Sequence, residues 1–538
     1  MMPDWLQFFQ LARFGRPLLL FVVLYAGLWI VARGFRLRLN ADSNFASAAR
    51  VLVYVISAAA LAAFTLIAIW YATDKRYYDF AEPTMPAVAW MFEGGKPLYP
   101  PPDAPEQYAH IYGPMAFIPL ASAMRFFGTD LSVTKWIGAG AGILALVVLS
   151  ATLTSRVGSR FALTFTGACA LLLLIFRNAA FWSRPDSLEL FCVSIGLWTA
   201  TRRGRVSWLL LGISAGILWN LKFSGPLYSL PLFLLFFERT DRRHVIFAIA
   251  TAAMVALLPF VTSRNISFHD YCTWILLSGR NGIVWSTLRQ NFEWVGYLAA
   301  PLAVAGTRHI RSEAATTLSR RVAISIGFAM CAVAVLASKP GGGPYHLIPF
   351  LPLIAFLTAI QIHRQRFDDV RSDRLLASVA FAGVAVLLAL AQQTSFISTV
   401  RQIDAIGPIA DVTRFSNQHT DGVIQMGYSS DERMTFVRPL VVFRSGMYLL
   451  DQPAIQEHQL AGVEIPPATE NALRSCSVTY WLIPKTGQPF SAINRYPMTH
   501  GRELFGSDFR RAFLDSYQRS ASTEYFDVWT CRRETERR

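Results

Sequence analysis

Charged residues, and lysine in particular, are scarce in this chain of 538 residues. Charged residues make up 16% of the sequence and apolar residues 53%, and the mean hydropathy is +0.35. This composition is typical of a membrane protein and excludes both a single soluble globule and a disordered chain, because disorder needs low hydrophobicity. The net charge is 50 − 35 = +15, and Arg carries it, since the chain has six Lys. They are Lys75, Lys96, Lys135, Lys222, Lys339 and Lys485.

Long apolar runs recur along the chain, with arginines clustered in the short connections between them. About twelve runs are close to the length that a bilayer requires, and this charge pattern indicates membrane topology rather than nucleic-acid binding. The runs cover approximately 17–32, 51–72, 132–153, 161–177, 187–201, 207–221, 225–237, 244–262, 287–306, 321–337, 345–361 and 374–391. We therefore predict a polytopic α-helical membrane protein with about 12 transmembrane helices. The first helix is predicted to be retained, because residues 1–16 contain Asp4 and no clear cleavage site follows.

Arginine-rich connections alternate along the chain and assign the two sides of the membrane. Cytoplasmic loops keep the positive charge, so these connections are predicted to be cytoplasmic. They are 33–50, 156–160, 202–205, 239–243, 308–321 and 364–374. The opposite side, periplasmic or extracellular, then holds all six Lys together with 73–131, 178–186, 263–286 and the residues after about 392. The apolar stretch 111–127 is interpreted as a helix lying on this outer surface.

The composition changes after residue 391, where charges return and apolar runs shorten. Patterning there predicts strands at 478–485 and 525–531 and helices at 468–476 and 510–518. We predict three parts: an extra transmembrane helix and cytoplasmic loop over 1–50, a transmembrane module over 51–391 with the outer loop 73–131, and a soluble α/β domain over 392–538. Cys476 and Cys531 are the two cysteines of the last part. A disulfide between them fits an oxidising compartment, and two unrelated thiols are the alternative.

The densest cluster of polar residues, 74–114, follows the second apolar run directly. Asp79 and Glu82 lie near the predicted membrane surface, and their spacing of three places them on one face if this segment is helical. A partly desolvated carboxylate at a membrane boundary can serve as a general base. The alternative is that both carboxylates cap a surface helix or pair with Lys75 and Arg76.

Cationic residues gather at the predicted outer ends of several helices. Arg184, in FWSRPDSLEL, lies on the side where positive charge is depleted, and a guanidinium at headgroup depth suits a phosphate. Lys222 interrupts apolar sequence between two runs, and Lys339 lies in the glycine-rich KPGGGPYH. Each Lys can instead snorkel to the interface, and Asp186 has an ordinary interpretation as a charge at a helix N-terminus. The candidate binding residues are Arg184, Asp186, Lys222, Lys339, Tyr345 and His346.

Five segments in this order resemble the GT-C superfamily of glycosyltransferases, polytopic enzymes that take a sugar from a polyprenyl-phosphate carrier on the outer membrane face. They are the span that leads into Asp79, GGKPLY with IYGPMAFIPLASAMRFFGTDLSVTKW, FWSRPDSLEL, LLLGISAGILWNLKFSGPLYSLP and KPGGGPYHLIPFLPLIA. The resemblance implies that Asp79 activates the acceptor, with Glu82 as the rival. It also implies that Arg184, Lys222 and Lys339 hold the carrier phosphate, with His346 as a weaker candidate. The DFAEP surroundings and the tail depart from lipid A aminoarabinose transferases and protein O-mannosyltransferases, which leaves the acceptor open.

The resemblance further implies an inverting single displacement that moves the sugar to a glycolipid, polysaccharide or protein acceptor. The active site and the C-terminal domain are then expected on the periplasmic or extracellular face of the plasma membrane. The expected partners are the polyprenyl-phosphate-sugar donor, the acceptor and membrane lipids, without nucleic acid. No spacing demands a cofactor, although Asp79, Glu82 and Asp186 can supply the oxygen ligands that a divalent metal such as Mg or Mn takes.

Two other function classes compete with this interpretation. A transporter or lipid flippase would place charged residues near the bilayer midplane and show internal repeats. Here the candidates gather at one face, and no repeat is visible between 51–200 and 207–391. A membrane scaffold that presents the soluble tail leaves the one-sided Lys and the acidic first loop unexplained. Together with the resemblance, on which the choice mainly rests, these observations favour the glycosyltransferase.

Overall fold

The computed structural model describes residues 16–34, 43–202, 204, 206–306, 313–364 and 372–532. Parts of the predicted cytoplasmic connections, at 35–42, 307–312 and 365–371, lie outside the described residues, as does most of the segment 1–16. The chain forms two compact units. The first unit comprises Met1–Tyr71, Gly138–Leu257 and Ile283–Ile397, and the second comprises Ala72–Ile137, Leu258–Gly282 and Ser398–Arg538.

Each apolar run predicted from the sequence forms a helix. The helices lying wholly or mostly in the first unit are Pro17–Gly34, Ser43–Thr73, Val133–Val157, Ser159–Ile175, Pro185–Ala200, Ser207–Leu221, Gly225–Phe237, Arg242–Thr262, Trp285–Gly306, Glu313–Leu336, Leu351–Arg364 and Ser372–Gln402. A 3₁₀ segment, Pro344–Phe350, precedes the helix Leu351–Arg364. The predicted polytopic helical membrane fold is confirmed.

Six stretches in the described part of the chain are long and apolar enough to cross a membrane. They are Pro17–Gly34, Val51–Thr73, Val133–Val157, Arg242–Thr262, Pro344–His363 and Leu375–Gln402. Large apolar side chains such as Leu66, Met254 and Val261 are exposed on these helices, as expected where lipid is the solvent. The count of 12 transmembrane helices stays a prediction.

Small residues let the helices of the first unit approach closely. Gly167 lies against Ser57 of the helix Ser43–Thr73, where a Cβ on Gly167 would come within 2.4 Å of the Ser57 Cβ. Close packing of this kind drives helix association in lipid, because burial of apolar side chains gains little when the solvent is itself apolar.

The second unit contains a four-stranded mixed sheet surrounded by short helices. Its strands are β1 (Ile424–Met426), β2 (Tyr480–Pro484), β3 (Tyr517–Ser522) and β4 (Phe526–Cys531), in the order β1-β2-β4-β3. β1 and β2 are parallel, and β4 pairs antiparallel with β2 and β3. The helices are Thr84–Glu93, Ile118–Phe127, Phe268–Ser278, Ile406–Gln418, Pro439–Ser445, Gln452–Leu460, Pro467–Arg474 and Ser507–Ser516.

The tail confirms most of the secondary structure predicted for it. The strands at 478–485 and 525–531 correspond to β2 and β4, and the helix at 468–476 corresponds to Pro467–Arg474. The helix predicted at 510–518 ends earlier, at Ser516, because Tyr517 and Gln518 pair with β4 as the start of β3. The predicted disulfide between Cys476 and Cys531 is confirmed, with their Cα atoms 5.8 Å apart.

The segment 73–131, predicted as an outer loop, and the tail fold together in the second unit. Gln107 makes two backbone hydrogen bonds with the tail, donating to the Leu449 carbonyl at 2.8 Å and accepting from the Asp451 N–H at 2.9 Å. Trp274 donates its indole N–H to the Pro100 carbonyl at 2.8 Å and stacks on His458 with 3.9 Å between ring centroids. The second unit is therefore assembled from three separate segments of the chain.

Candidate active site

Asp79 and Glu82 belong to the second unit, in a short segment that we call the acidic turn, residues 79–82. Asp79 Oδ1 accepts a hydrogen bond from the Ala81 N–H at 3.0 Å, and the Glu82 N–H donates to the Asp79 carbonyl at 3.3 Å. The chain then enters the helix Thr84–Glu93. Asp79 thus closes a turn before the helix and is half-buried, whereas the N-cap of the helix is Pro83 and no side chain caps it.

The two acidic side chains differ in exposure. Glu82 is 0% exposed, whereas Asp79 is partly exposed. Burial raises the pKa of Tyr77, and the negative charge of Glu82 raises it further. Glu82 therefore interacts electrostatically with a buried phenol. Of the two candidates for a base, Asp79 is therefore the more exposed.

Lysine and arginine side chains hold the segment before the acidic turn. Lys135 Nζ donates to the carbonyls of Asp74 at 2.7 Å and Arg76 at 2.6 Å, and it lies 4.8 Å from the centroid of the Tyr77 ring. The two cations that could have paired with the acidic turn pair with other carboxylates instead. Lys75 binds Asp130 at 2.6 Å, and Arg76 binds Asp74 at 2.5 Å.

In the first unit, Arg184 immediately precedes the helix Pro185–Ala200. Its guanidinium lies 4.1 Å from the centroid of the Trp182 ring, and Nη2 donates to the Tyr345 hydroxyl at 3.1 Å. Arg184 is 6% exposed. A planar cation held between aromatic rings is weakly hydrated and pre-oriented, which suits it for binding phosphate oxygens.

Lys222 forms a buried ion-pair cluster with two carboxylates. Its Nζ lies 2.5 Å from Asp186 Oδ1 and 3.4 Å from Glu189 Oε2, and Lys222 is 3% exposed while both acids are 0% exposed. The predicted alternative of an ordinary helix-terminal charge at Asp186 holds in part, since Pro185 and Asp186 begin a helix. The two carboxylates offset the positive charge of Lys222. This weakens the attraction that Lys222 can exert on a bound anion.

Asp186 links Lys222 to Arg184. While Asp186 Oδ1 faces Lys222, Asp186 Oδ2 accepts from the Trp182 indole N–H at 3.0 Å. The Trp182 ring in turn supports the Arg184 guanidinium. Lys222, Asp186 and Trp182 therefore form a chain of contacts that fixes the orientation of Arg184.

Lys339, Tyr345 and His346 lie around the glycine-rich turn. Tyr345 donates to the Gly341 carbonyl at 2.9 Å, and its ring stacks on that of His346 with 4.4 Å between centroids. A Cβ on Gly342 would come within 2.2 Å of the Ala337 carbonyl oxygen, so only glycine fits there. The structure thus brings Tyr345 and His346 to Arg184, and Lys339 begins the same turn.

Two charged residues of the first unit were not predicted as part of this arrangement. Glu189 carries a detectable signal, since it follows Asp186 by three residues on an otherwise apolar helix. Arg177 carries no local signal, because its side chain bonds Gln392 at 3.0 Å and Ser395 at 3.2 Å, more than 200 residues further along the chain. These bonds fix the start of the loop that leads to Arg184.

The described residues include no group of three or more His, Cys, Asp or Glu side chains that could hold a metal ion. Asp79 and Glu82 lie in one unit and Asp186 lies in the other. A divalent metal stays the alternative that the sequence left open, which no spacing demands.

The sequence matches no family model and no curated protein. The fold is similar to that of ArnT from Cupriavidus metallidurans bound to undecaprenyl phosphate, with a TM-score of 0.54 and 13% identity, covering 87% of this chain and 97% of that chain. ArnT of the same organism in the apo state gives 0.49 and 12% over 90% and 98% of the two chains. An oligosaccharyltransferase from Archaeoglobus fulgidus in complex with Zn and sulfate gives 0.39 and 12% over 79% and 68%.

This similarity confirms, at the level of the fold, the resemblance predicted from the sequence. The chain is an integral membrane protein with an ArnT-like fold.

Proposed function

We propose that this protein transfers a sugar from a polyprenyl-phosphate carrier to an acceptor hydroxyl. The observation that carries the proposal is the aromatic-framed Arg184 at a helix start, in a chain whose fold is similar to ArnT bound to undecaprenyl phosphate. A cation at this place suits a lipid phosphate, which is negative in the donor and gains charge when it leaves.

Asp79 is the proposed general base. An acceptor O–H gives its proton to the Asp79 carboxylate while its oxygen forms a bond to the anomeric carbon of the sugar. The bond from that carbon to the phosphate oxygen breaks, and its electron pair leaves with the polyprenyl phosphate. A single displacement of this kind inverts the anomeric configuration. Glu82 is the rival base, but its full burial favours a supporting role.

Arg184 is the proposed main contact of the leaving phosphate, with Lys339 and His346 as further contacts. Stabilisation of the developing charge by a pre-oriented cation lowers the barrier, because no reorganisation is needed during the reaction. Lys222 is assigned to the support of Arg184 through Asp186 and Trp182, since its own charge is offset by two carboxylates. The sugar acceptor is a glycolipid, a polysaccharide or a protein on the periplasmic or extracellular face.

The test is sugar release by purified, reconstituted protein from a panel of radiolabelled polyprenyl-phosphate sugars. Wild type is compared with Asp79→Asn, Glu82→Gln and the control Asp508→Asn, which changes an exposed carboxylate of the tail. Loss of a general base lowers turnover by about 10²- to 10⁴-fold, so Asp79→Asn should be this slow while the control keeps wild-type turnover. EDTA in the same assay tests whether transfer needs a divalent metal.

Each outcome assigns a role. Wild-type turnover in Asp79→Asn together with loss in Glu82→Gln would move the base to Glu82. Carrier binding without release, or movement of intact carrier across the bilayer, would favour a transporter or flippase instead.

A further inference from the structure

A buried polar network in the second unit joins the acidic turn to the soluble tail. Its members are Thr84, His110, Arg438, Tyr448 and Asp451, and each is at most 4% exposed. Thr84 and Asp451 are 367 positions apart in the sequence, and His110 and Asp451 are 341 apart. Polar groups buried this deeply are costly unless all are hydrogen-bonded, so the network has a single favourable arrangement.

Asp451 is the centre of this network. Its carboxylate accepts from Thr84 Oγ1 at 2.8 Å, from Arg438 Nε at 3.2 Å and from the Tyr448 hydroxyl, and it lies 2.9 Å from His110 Nε2. Burial alone would raise the pKa of Asp451, but Arg438 and His110 outweigh it and lower the pKa. The network therefore holds an ionised carboxylate.

Arg438 extends the network to the acidic turn. Its Nη2 donates to the Phe80 carbonyl at 2.7 Å and to Thr84 Oγ1 at 2.8 Å. The Phe80 carbonyl shares a peptide group with the Ala81 N–H, which donates to Asp79 Oδ1 at 3.0 Å, so this bond holds the peptide group that contacts the proposed base. A second arginine of the tail, Arg495, lies 4.0 Å from the centroid of the Phe80 ring and pairs with Glu432 at 3.1 Å.

We propose that Arg438 is a positioning residue for Asp79: the soluble tail sets the geometry of the general base through the bonds from Arg438 to Phe80 and Thr84. This inference rests on the proposed function. It gives the tail a role in catalysis without contact with the sugar. A turn held by backbone contacts on one side has few conformations available, and a base that moves by about 1 Å costs on the order of 100-fold in rate.

The test compares kinetic constants of matched variants in full-length, reconstituted protein. Arg438→Lys keeps the charge but cannot bond Asp451, Phe80 and Thr84 together. Thr84→Val removes the hydroxyl at nearly constant volume, and Thr84→Ser restores it. Arg510→Gln breaks a half-exposed ion pair with Glu503 elsewhere in the tail and serves as the control.

We expect kcat to fall on the order of 100-fold in Arg438→Lys and roughly tenfold in Thr84→Val, with the donor KM unchanged in both. Thr84→Ser and Arg510→Gln should keep wild-type kcat. A parallel loss of donor affinity would show a general loss of structure and overturn the inference, as would wild-type kcat in Arg438→Lys and Thr84→Val.

Amide hydrogen exchange at residues 78–84 separates this inference from the proposed function. Exchange should be faster in Arg438→Lys and Thr84→Val than in wild type, Thr84→Ser and Arg510→Gln, whether or not the protein transfers sugar. If wild type shows no Asp79-dependent transfer, the proposed function fails. If exchange at 78–84 is unchanged in Arg438→Lys and Thr84→Val, the inference fails, whatever the result of the transfer assay.

Discussion

Lys222→Met should destabilise the protein strongly. Lys222 is the shared partner of Asp186 and Glu189, and the substitution leaves both buried carboxylates without their cation. Removing one partner of a buried ion pair costs about 3–5 kcal/mol.

The assay is equilibrium unfolding in mixed micelles of increasing SDS content, followed by tryptophan fluorescence. The matched control is Lys75→Met, because Lys75 pairs with Asp130 while 54% exposed, and an exposed pair is worth about 1 kcal/mol or less. A variant that also carries Asp186→Asn and Glu189→Gln should regain most of the lost stability, because it leaves no uncompensated charge.

Stability equal to that of Lys75→Met would refute this reasoning. If Lys222→Met unfolded like the control and lost only carrier affinity, Lys222 would be a phosphate ligand rather than the partner of Asp186.

Three further outcomes follow from the contacts described above. Arg184→Gln should weaken binding of undecaprenyl phosphate by about 2 kcal/mol, roughly 30-fold, whereas Arg202→Gln, which removes an arginine stacked on Trp198 in the same unit, should leave binding unchanged in a filter assay. Replacing both cysteines of the Cys476–Cys531 disulfide by Ser should lower the free energy of unfolding of the tail by about 4 kcal/mol for a separation of 55 residues, as measured by denaturant titration. Burial and then His110 lower the pKa of His458 to about 3, so the unfolded state binds the extra proton and stability should fall as pH drops from 6.5 towards 3; thermal unfolding of His458→Phe should lose this slope.

Local patterns predicted most of the elements of the fold. Long apolar runs predicted the helices, and alternation of apolar and polar residues predicted β2 and β4. Both patterns can be recognised from residues that are close together in the sequence. β1 was not predicted because it has three residues. β3 was not predicted because its exposed YQRSAS sequence shows no alternation of apolar residues.

The candidate site was predicted only as a set of residue types. Arg184, Tyr345 and His346 do come together, whereas the engagement of Lys222 by Asp186 and Glu189 depends on the packing of two helices. Arg438 and Asp451 were not predicted as part of any site, because an arginine and an aspartate in a segment predicted to be soluble resemble solvated surface charges. Their burial arises from contacts with residues more than 300 positions earlier in the chain.

The bond between Thr84 and Asp451 has a consequence for synthesis. The ribosome adds about 5–20 residues per second, so with 367 positions between these partners the acidic turn waits roughly 20–70 s for its supporting tail. During that time the first helices are already made, but the acidic turn lacks its bonds to Arg438 and Asp451. A chain that terminates before Asp451 would keep the apolar helices and lose the partner that orders this segment. Messenger truncations near the 3′ end should therefore yield a membrane-inserted but inactive product.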